Sequence, residues 1–488
     1  MLRINGQSTE YCDRVSRRSF LQIGGLAMGG LSLTDILRAE SIQQKSNSHK
    51  SVIMILLPGG PPHLDMFDMK PNAPVEIRGE FKPIRTNVSG VEICELMPRT
   101  AQIMDKLAVV RSLYGGRNDH NVHICLTGHE SHPQQGDSQM VPGFPNGGWP
   151  SIGAVASKLQ GLADPAVPPF VSLSPKNAES TTRASLNQAG FLGAGFAGFE
   201  PHRKKRNDIV YKSGVTGEAL KREQEESADI VLQGISLDRL TDRNRLWKTL
   251  DRFRREVDST GTLDAMDTIQ KQAMGILTSS RLAQALDWKQ EDLKLRRDYG
   301  ISDAAIPVNG GPELLKQFLV ARRLVEAGAR CVTLAFSQWP LERESRGGHN
   351  WDWHTGNFAK AKVTLPMLDM GLSALVRDLD NRNMLDDTSI VVWGEFGRTP
   401  RINKSAGRDH WPQAAFCLLG GGGMPTGQII GSTSKFGEAP VDRPTHYLEV
   451  FATLYQNLGI NPNSLLMNDM DGRPHHLLRG YGPIDELA

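Results

Sequence analysis

The 488-residue sequence is poor in cysteine: it has five, and no two of them are spaced as a C-x-x-C pair. This argues against a structural zinc site built on thiolates, because such sites take their ligands from closely spaced cysteines. Long hydrophobic runs are also lacking. Beyond the amino-terminal segment nothing approaches the ~18 consecutive apolar residues of a membrane-spanning helix. The sequence therefore predicts no transmembrane anchor.

An excess of charge of either sign is missing as well. The chain has 56 Lys and Arg against 54 Asp and Glu, a formal net charge of +2. It has no basic stripe interleaved with aromatic residues, so we expect no nucleic-acid partner. The dense basic run at 202–206, "HRKKR", is typical of a solvated loop. With 39% hydrophobic and 23% charged residues, the composition indicates a globular protein with a large core.

The amino-terminal segment has the pattern of a targeting signal. In "SRRSFLQIGGLAMGGLSL", Arg17 and Arg18 precede Phe20 and Leu21, and a short, glycine-rich apolar stretch follows. This resembles a twin-arginine export signal. The alternative is a chance arginine pair before an amphipathic helix. The resemblance predicts a signal segment at 1–41, a linker at 42–50, and passage through the twin-arginine translocase to the periplasm or the extracellular space.

Six short apolar runs predict the strands of a central sheet. They are continuous rather than alternating, as expected of strands buried on both faces. They are Val52–Leu57 and residues 106–113, 168–174, 329–336, 388–394 and 414–420. Helical patterns lead into the fourth and the fifth run. Strands alternating with helices predict an α/β fold with a mostly parallel sheet.

The composition of the sequence changes between about residues 215 and 300. This region is charged and amphipathic at helical spacing, and it has no strand signal. We predict a helical insertion, either over the carboxyl edge of the sheet or on the far side. A later stretch, "LLGGGGMPTG" (418–427), lacks the Lys-Ser/Thr of a phosphate-binding loop and predicts a tight turn close to the site.

Acids and histidines follow four of the predicted strands. Ligands of open parallel sheets gather outside the carboxyl ends of the strands, so these residues are candidates for one site. They are His63, Asp65 and Asp68; Asn118, Asp119, His120 and His123; His349, Asp352 and His354; and Glu395, Asp409 and His410. Carboxylate and imidazole ligands together suit a divalent ion such as Zn, Mn, Ca or Mg. Taken singly, each is more typical of a surface histidine or of an acid that caps a helix.

Five motifs resemble a known family. They are "GGPPHLDMFD", "NVHICLTGHE", "WDWHTGNF", "VVWGEFGRTPRIN" and "GRDHWPQAAFCLLGGGGM". They resemble the exported, sulfatase-like proteins grouped as domain of unknown function 1501, which are similar in fold to the alkaline phosphatase and sulfatase superfamily. The resemblance covers about residues 50 to 465. It implies an alkaline-phosphatase-like, three-layer sandwich formed by a single domain at 51–488.

The resemblance also implies a metal site. Its ligands would be Asp65 after the first strand, Asp352 and His354 in "WDWH", Glu395 in "GEFG", and Asp409 and His410 in "GRDHW". Phe396 stands where a sulfatase would carry a histidine. For Glu395, a salt bridge to a nearby arginine is the alternative interpretation.

The covalent nucleophile of sulfatases is missing. The superfamily carries Cys or Ser in a C/S-x-P-x-R motif ahead of a sequence like "LLTGR". This chain keeps the tail as "CLTGH" (125–129), but "RNDHNVHI" precedes it, and Asn118, Asp119 or His120 fills the slot.

Two functions remain open from the sequence. One is metal-dependent hydrolysis of a small anionic ester or a sulfated glycan, in which the metal activates water. His120 or His123 would then act as acid or base, and Arg398 or Arg408 would hold the anion, unless these arginines only pair with local acids. The other is a catalytically degenerate member that binds a ligand or a partner.

Overall fold

The central sheet has eight strands, most of them parallel. The structure, a computed structural model, describes residues 50–118, 120, 122–129, 145, 147–173, 188–201, 275, 279–301, 311–337 and 350–488. In chain order the strands are β1 (Ser51–Leu56), β2 (Leu107–Tyr114), β3 (Phe170–Leu173), β4 (Cys331–Ala335), β5 (Thr388–Trp393), β6 (Ala415–Gly420), β7 (Gln428–Ile430) and β8 (Thr445–His446). The six predicted strands are all present, which confirms the predicted α/β class.

Their spatial order is β7-β2-β6-β5-β1-β4-β3, and β8 also pairs with β2. Strand β1 lies at the centre between β4 and β5 and runs parallel to both. The pairs β3–β4, β7–β2 and β8–β2 are parallel as well. Strand β6 is the exception, because it runs antiparallel to both β2 and β5.

Helices cover both faces of the sheet. The four longest in the described ranges are α1 (Ile152–Gln160), α2 (Gly311–Ala327), α3 (Asn357–Asn381) and α4 (Tyr447–Asn457). Alternate residues of a strand point to opposite faces. Thus Ile53 and Ile55 of β1 join the core formed with α2 and α3, whereas Val52 and Met54 join the core formed with α1 and α4. The fold is therefore the predicted three-layer sandwich.

Smaller elements connect these layers. The short α-helices are His63–Met66, Val75–Arg78, Pro98–Ala101, Ile124–Thr127, Arg281–Leu286 and Leu293–Asp298, and the 3₁₀ turns are Met104–Lys106, Gly190–Leu192, Ala194–Phe196, Trp288–Gln290, Leu385–Asp387, Pro462–Ser464 and Asp485–Leu487. Four two-stranded ribbons pair Pro83–Arg85 with Glu92–Cys94, Gly397–Arg398 with His410–Trp411, Ser432–Thr433 with Pro440–Asp442, and Leu466–Asn468 with Pro474–His476.

The direction of β6 decides which loops share the functional edge. Because β6 is antiparallel to β5, its first residues lie beside the carboxyl end of β5, where Cys417 pairs with Trp393. The loop that precedes β6, with Asp409 and His410, therefore lies at the same edge as Glu395. The glycine-rich turn after β6 lies at the opposite edge, where Gly421 approaches the carbonyl of Thr388. We expected that turn near the site, and the antiparallel strand accounts for the difference.

Several predictions fall outside the described residues. The predicted signal segment and nearly all of the linker lie in residues 1–49. Most of the predicted insertion at 215–300 is also outside; its described end contains the helices Arg281–Leu286 and Leu293–Asp298. Both remain predictions. In the ranges that the structure does describe, no helix has the length and apolar composition that crossing a membrane would require.

His129 is a buried histidine that makes the fold sensitive to acid. Its ring stacks on Trp149 with the ring centroids 3.7 Å apart. Its Nε2–H donates to the carbonyl of Leu477 at 2.9 Å. Burial, and then the nearby charge of Arg479, lower the pKa of His129 to about 3. The folded protein therefore holds this imidazole neutral, whereas the unfolded chain protonates it near its ordinary pKa of about 6.5.

The free energy of unfolding should fall as the pH drops from about 6.5 to about 3, because in this window the unfolded state binds the additional proton. His129 alone should contribute about 1.4 kcal/mol per pH unit. His129→Gln keeps a donor for Leu477 but cannot titrate. Urea unfolding across this pH window should give the variant the shallower loss of stability, and equal slopes for the two proteins would contradict the prediction.

Candidate functional site

Two loops at the carboxyl edge are joined through a buried glutamate. Strand β1 leads into Gly59 and Gly60, and the neighbouring β5 leads into Glu395. The Gly59 N–H donates to Glu395 Oε1 at 2.7 Å. A Cβ on Gly60 would clash with the ring of Phe396, so only glycine allows this close approach. Glu395 is thereby fixed at the strand end with 1% of its surface exposed.

The "WDWH" segment places two polar side chains next to each other by alternation. Trp351 and Trp353 are buried and stack on each other, with ring centroids 5.1 Å apart. Trp351 also donates its indole N–H to the carbonyl of Phe336 at 2.9 Å, just after β4. Because the two tryptophans anchor the segment in the core, Asp352 and His354 are the residues left at the surface of the cleft.

His410 is brought to this cleft by the ribbon that pairs Gly397–Arg398 with His410–Trp411. In its register Arg398 lies opposite His410. The ribbon joins the chain that leaves β5 to the chain that enters β6. It therefore carries His410 back to the loop that bears Glu395.

Three nitrogen and oxygen atoms converge in the cleft. His354 Nε2 lies 3.0 Å from Asp352 Oδ1. It lies 3.0 Å from His410 Nε2 as well. His410 Nε2 is 3.2 Å from Asp352 Oδ1. Ligands that are each about 2.0–2.2 Å from one ion lie about 3 to 3.5 Å from each other, so this spacing suits a shared metal.

The outer nitrogens of both histidines are already hydrogen-bonded. His354 Nδ1 lies 2.7 Å from Asp409 Oδ1, and His410 Nδ1 lies 2.9 Å from Asn118 Oδ1. Both partners are acceptors, so each neutral ring carries its proton on Nδ1 and presents a lone pair at Nε2. Three acceptors then face one another, since Asp352 Oδ1 is an acceptor as well. Such an arrangement calls for a cation between them.

His120 lies on the other side of the Asp352 carboxylate. Its Nε2 is 3.3 Å from Asp352 Oδ2, and its Nδ1 is 3.5 Å from Glu395 Oε1. Potential ligand atoms of His120, Asp352 and His410 all lie within 4.8 Å of one another. The cleft therefore holds three histidines around one aspartate, with Glu395 behind His120.

The carboxylates give the cleft an affinity for positive charge. Burial by itself raises the pKa of Asp352, but hydrogen bonds from His120 and Arg398 lower it well below its ordinary value. Burial likewise lowers the pKa of His120, yet the hydrogen bonds to Asp352 and Glu395 raise it to about 10 overall. Glu395 Oε2 is buried and has no hydrogen-bond partner among the described residues.

The donor set fits a divalent cation. One carboxylate and two imidazoles are common ligands of Zn²⁺, and imidazole suits Mg²⁺ and Ca²⁺ less well. The side chains of Asp352 and His410 are 19% and 16% exposed, whereas that of His354 is 42% exposed. A site with three protein ligands and an exposed side has room for substrate, which is typical of catalytic rather than structural metal sites.

Asp65 has a different role from the predicted one. Its carboxylate forms a buried, bidentate pair with Arg408, at 2.8 Å from Nε to Oδ2 and 2.9 Å from Nη2 to Oδ1. Asn357 Nδ2 donates to Oδ2 at 2.8 Å. Both oxygens are thus occupied by protein donors. The interpretation of Arg408 as a partner of a local acid fits the structure, and its interpretation as an anion clamp does not.

Arg398 is likewise a buried structural residue. Its guanidinium is fully buried, and it donates to the carbonyls of Gly59, Gly60, Trp351 and Arg408 and to Asp352 Oδ1. The sequence left open whether Arg398 holds a substrate anion or pairs with a local acid. The structure favours the second alternative: Arg398 pairs with Asp352, at 2.7 Å from Nη2 to Oδ1, and connects the loops after β1 and β5 to the Asp352 segment.

The other predicted residues divide between the cleft and the interior. Asn118 contacts His410, and Asp409 contacts His354, so each supports a histidine of the convergent set. His123 is fully buried at the start of the helix Ile124–Thr127, which does not suit the predicted acid or base. Asp119 and His349 lie outside the described residues.

Sequence reasoning missed the backbone anchors of the cleft. Gly59 and Gly60 adopt positive φ angles of 110° and 78°. They supply the N–H that fixes Glu395 and the carbonyls that hold Arg398. The glycine pair in "PGGPP" was the available signal, because paired glycines after a strand indicate close approach of the backbone.

Comparison with known families identifies the chain. Residues 49–487 match the family described as "Protein of unknown function (DUF1501)". The protein belongs to this family. Membership of DUF1501, inferred from the five sequence motifs, is thus confirmed. No curated protein matches the DUF1501 chain.

Solved structures resemble the DUF1501 chain only distantly. The PsFucS1 sulfatase from Pseudoalteromonas sp. has 9% identity and a TM-score of 0.35, covering 87% of this chain and 70% of its own. The lipoteichoic acid synthase LtaP from Listeria monocytogenes has 8% sequence identity and a TM-score of 0.34, and the match covers 88% of this chain and 76% of LtaP. An alkaline phosphatase superfamily protein from Vibrio parahaemolyticus has 10% sequence identity and a TM-score of 0.32, and the match covers 84% of this chain and 67% of that protein.

Proposed function

We propose that this protein is a metal-dependent hydrolase of small anionic esters or sulfated glycans, and that Asp352, His354 and His410 hold the divalent ion. The convergence of three acceptor atoms at 3.0 to 3.2 Å carries the proposal. The choice of substrate is supported by the sulfatase-like motifs. Two imidazoles in the set favour Zn²⁺ over Mg²⁺ or Ca²⁺.

The remaining side chains of the cleft have separate tasks. When bound, a divalent ion polarises an ester oxygen and lowers the pKa of water, so hydrolysis needs no serine or cysteine. His120 faces Asp352 through Nε2 and Glu395 through Nδ1, and its side chain is 25% exposed. A substrate can therefore reach it, and we assign it the proton transfer to the leaving group. Glu395 holds the other side of the ring.

An anionic substrate should depend on the cation for binding as well as for reaction. Asp352, Glu395 and Asp409 contribute three negative charges to the cleft, whereas the fully buried guanidinium of Arg398 and the protonated imidazole of His120 contribute two positive charges. Without a cation this cleft repels an anion. With a divalent ion bound, the balance of these charges reverses.

Metal removal and restoration tests the proposal. We expect the purified full chain to hydrolyse an aryl phosphate or an aryl sulfate, to lose this activity after dialysis against a chelator, and to regain it with Zn²⁺ or Mn²⁺. A chain that binds metal but hydrolyses neither ester would favour the second function, ligand binding without turnover. The missing nucleophile at 117–124 is the observation that favours this alternative.

We further propose export through the twin-arginine route, because "SRRSFLQIGG" places Arg17 and Arg18 before an apolar segment. Changing both arginines to lysine should retain the protein in the cytoplasm, because the pair itself is the feature that the pathway reads. Cell fractionation followed by immunoblotting measures the distribution. Equal export of the two proteins would contradict the proposed route.

A further inference from the structure

We propose that Asn118 and Asp409 are positioning residues that aim the lone pairs of His410 and His354 at the point these rings share with Asp352. The inference rests on the proposed metal site and concerns how the chain builds it. The sequence suggested Asn118 as a catalytic residue and Asp409 as a ligand. In the structure both residues contact the Nδ1 atoms of the two histidines, so they support the proposed metal ligands and do not lie at the metal site themselves.

Asp409 acts on His354. An ionised carboxylate can only accept a hydrogen bond, so the 2.7 Å contact places the His354 proton on Nδ1. Asn403 Nδ2 contacts both carboxylate oxygens at 3.3 Å and the His354 carbonyl at 3.0 Å. Asp409 thus fixes the orientation of the His354 ring, and Asn403 in turn holds the Asp409 carboxylate in place.

Asn118 acts on His410 in the same way. Its Oδ1 lies 2.9 Å from His410 Nδ1 and accepts the proton carried there. His410 Nε2 is then an acceptor directed at Asp352 Oδ1 and His354 Nε2. A carboxylate or amide oxygen behind a histidine ligand fixes its tautomer and raises its basicity, and losing such a partner typically weakens metal binding about 10- to 100-fold.

This assignment gives a role to the residue that stands where sulfatases carry their nucleophile. Asn118 belongs to the slot in which the sulfatase pattern carries Cys or Ser, and its side-chain oxygen is engaged with a histidine. The loop after β2 therefore supports a ligand of the metal site. Catalysis in this chain then relies on water, consistent with the proposed hydrolysis.

Titration with Co²⁺ alone, followed by its visible absorption, measures the effect without an activity assay. Asn118→Ala and Asp409→Ala should each weaken Co²⁺ binding about 10- to 100-fold, because each frees a ring to rotate or change tautomer. Asn118→Asp keeps an accepting oxygen and should retain most of the affinity. Asn463→Ala and Asp442→Ala change exposed residues of the same types and should bind as the unaltered protein does.

The outcomes separate this inference from the proposed function. If the unaltered chain binds no Co²⁺, both fail. If it binds Co²⁺ but the two alanine variants bind it equally well, the metal site stands and the positioning roles are overturned. Loss of binding in Asn118→Asp would also overturn the role of Asn118, because it would mean that the amide nitrogen faces His410. Thermal unfolding of every variant confirms that the fold is kept.

Discussion

Replacing His410 with alanine should abolish binding of the proposed divalent ion and, with it, the proposed ester hydrolysis. His410 Nε2 lies 3.2 Å from Asp352 Oδ1 and 3.0 Å from His354 Nε2, so the variant removes one of three converging ligands. The loss in metal affinity should exceed the ~10- to 100-fold expected for supporting residues. Isothermal titration with Zn²⁺ measures the affinity, and elemental analysis of the purified variant measures its occupancy.

His354→Ala should behave in the same way, with little effect on stability, because the side chain is 42% exposed. His476→Ala provides the control, since His476 is exposed on a ribbon that takes no part in the cleft. It should bind Zn²⁺ as the unaltered protein does. Equal Zn²⁺ affinity in His410→Ala and in the unaltered protein would remove the basis for the proposed ligand set.

Replacing Asp65 with asparagine should destabilise the fold by about 3–5 kcal/mol, because it leaves the buried guanidinium of Arg408 without its counter-charge. Urea unfolding measures the change. The sequence suggested that Asp65 binds metal, whereas the structure predicts that the folded variant still binds one equivalent of Zn²⁺. Retained metal with reduced stability is therefore the expected combination.

The exposed pair of Lys362 and Glu80 is the matched control for this experiment. Their side chains are 58% and 48% exposed, so Glu80→Gln should change the free energy of unfolding by less than about 1 kcal/mol. Complete loss of Zn²⁺ from folded Asp65→Asn, with stability unchanged, would support the metal interpretation of Asp65 and contradict the structural one.

The order of strands and helices was predictable because a strand buried on both faces has a continuous apolar sequence. Val52 to Leu56 of β1 are entirely apolar and almost fully buried, as a central strand requires. The position of Asp352 and His354 beyond a strand end was also foreseeable, since loops after parallel strands share one edge. These predictions depend only on patterns within short segments.

Partners far apart in the chain could not be read from such patterns. Asp65 and Asp352 both follow strands, but Asp65 contacts Arg408 in the interior and Asp352 contacts three histidines in the cleft. The direction of β6 could not be predicted either, because a continuous apolar run has the same sequence pattern in a parallel and in an antiparallel strand. That direction placed the glycine-rich turn away from the site and brought His410 into it.

For Glu395, the position could be predicted from the sequence, but the partners of its side chain could not. Its place at a strand end was predicted, and the structure confirms that it is buried there. Its partners are the Gly59 N–H at 2.7 Å and His120 at 3.5 Å, rather than an arginine. A buried carboxylate is costly unless it is compensated, so the imidazole of His120 and the cation proposed nearby are the charges that offset it.

The most direct test of the metal site is anomalous diffraction from crystals of the full chain soaked in Zn²⁺, recorded on both sides of the zinc absorption edge. We expect one strong peak about 2.0–2.2 Å from Asp352 Oδ1, His354 Nε2 and His410 Nε2. A fully folded cleft without a peak at this position, or with the only peak beside Asp65, would contradict it.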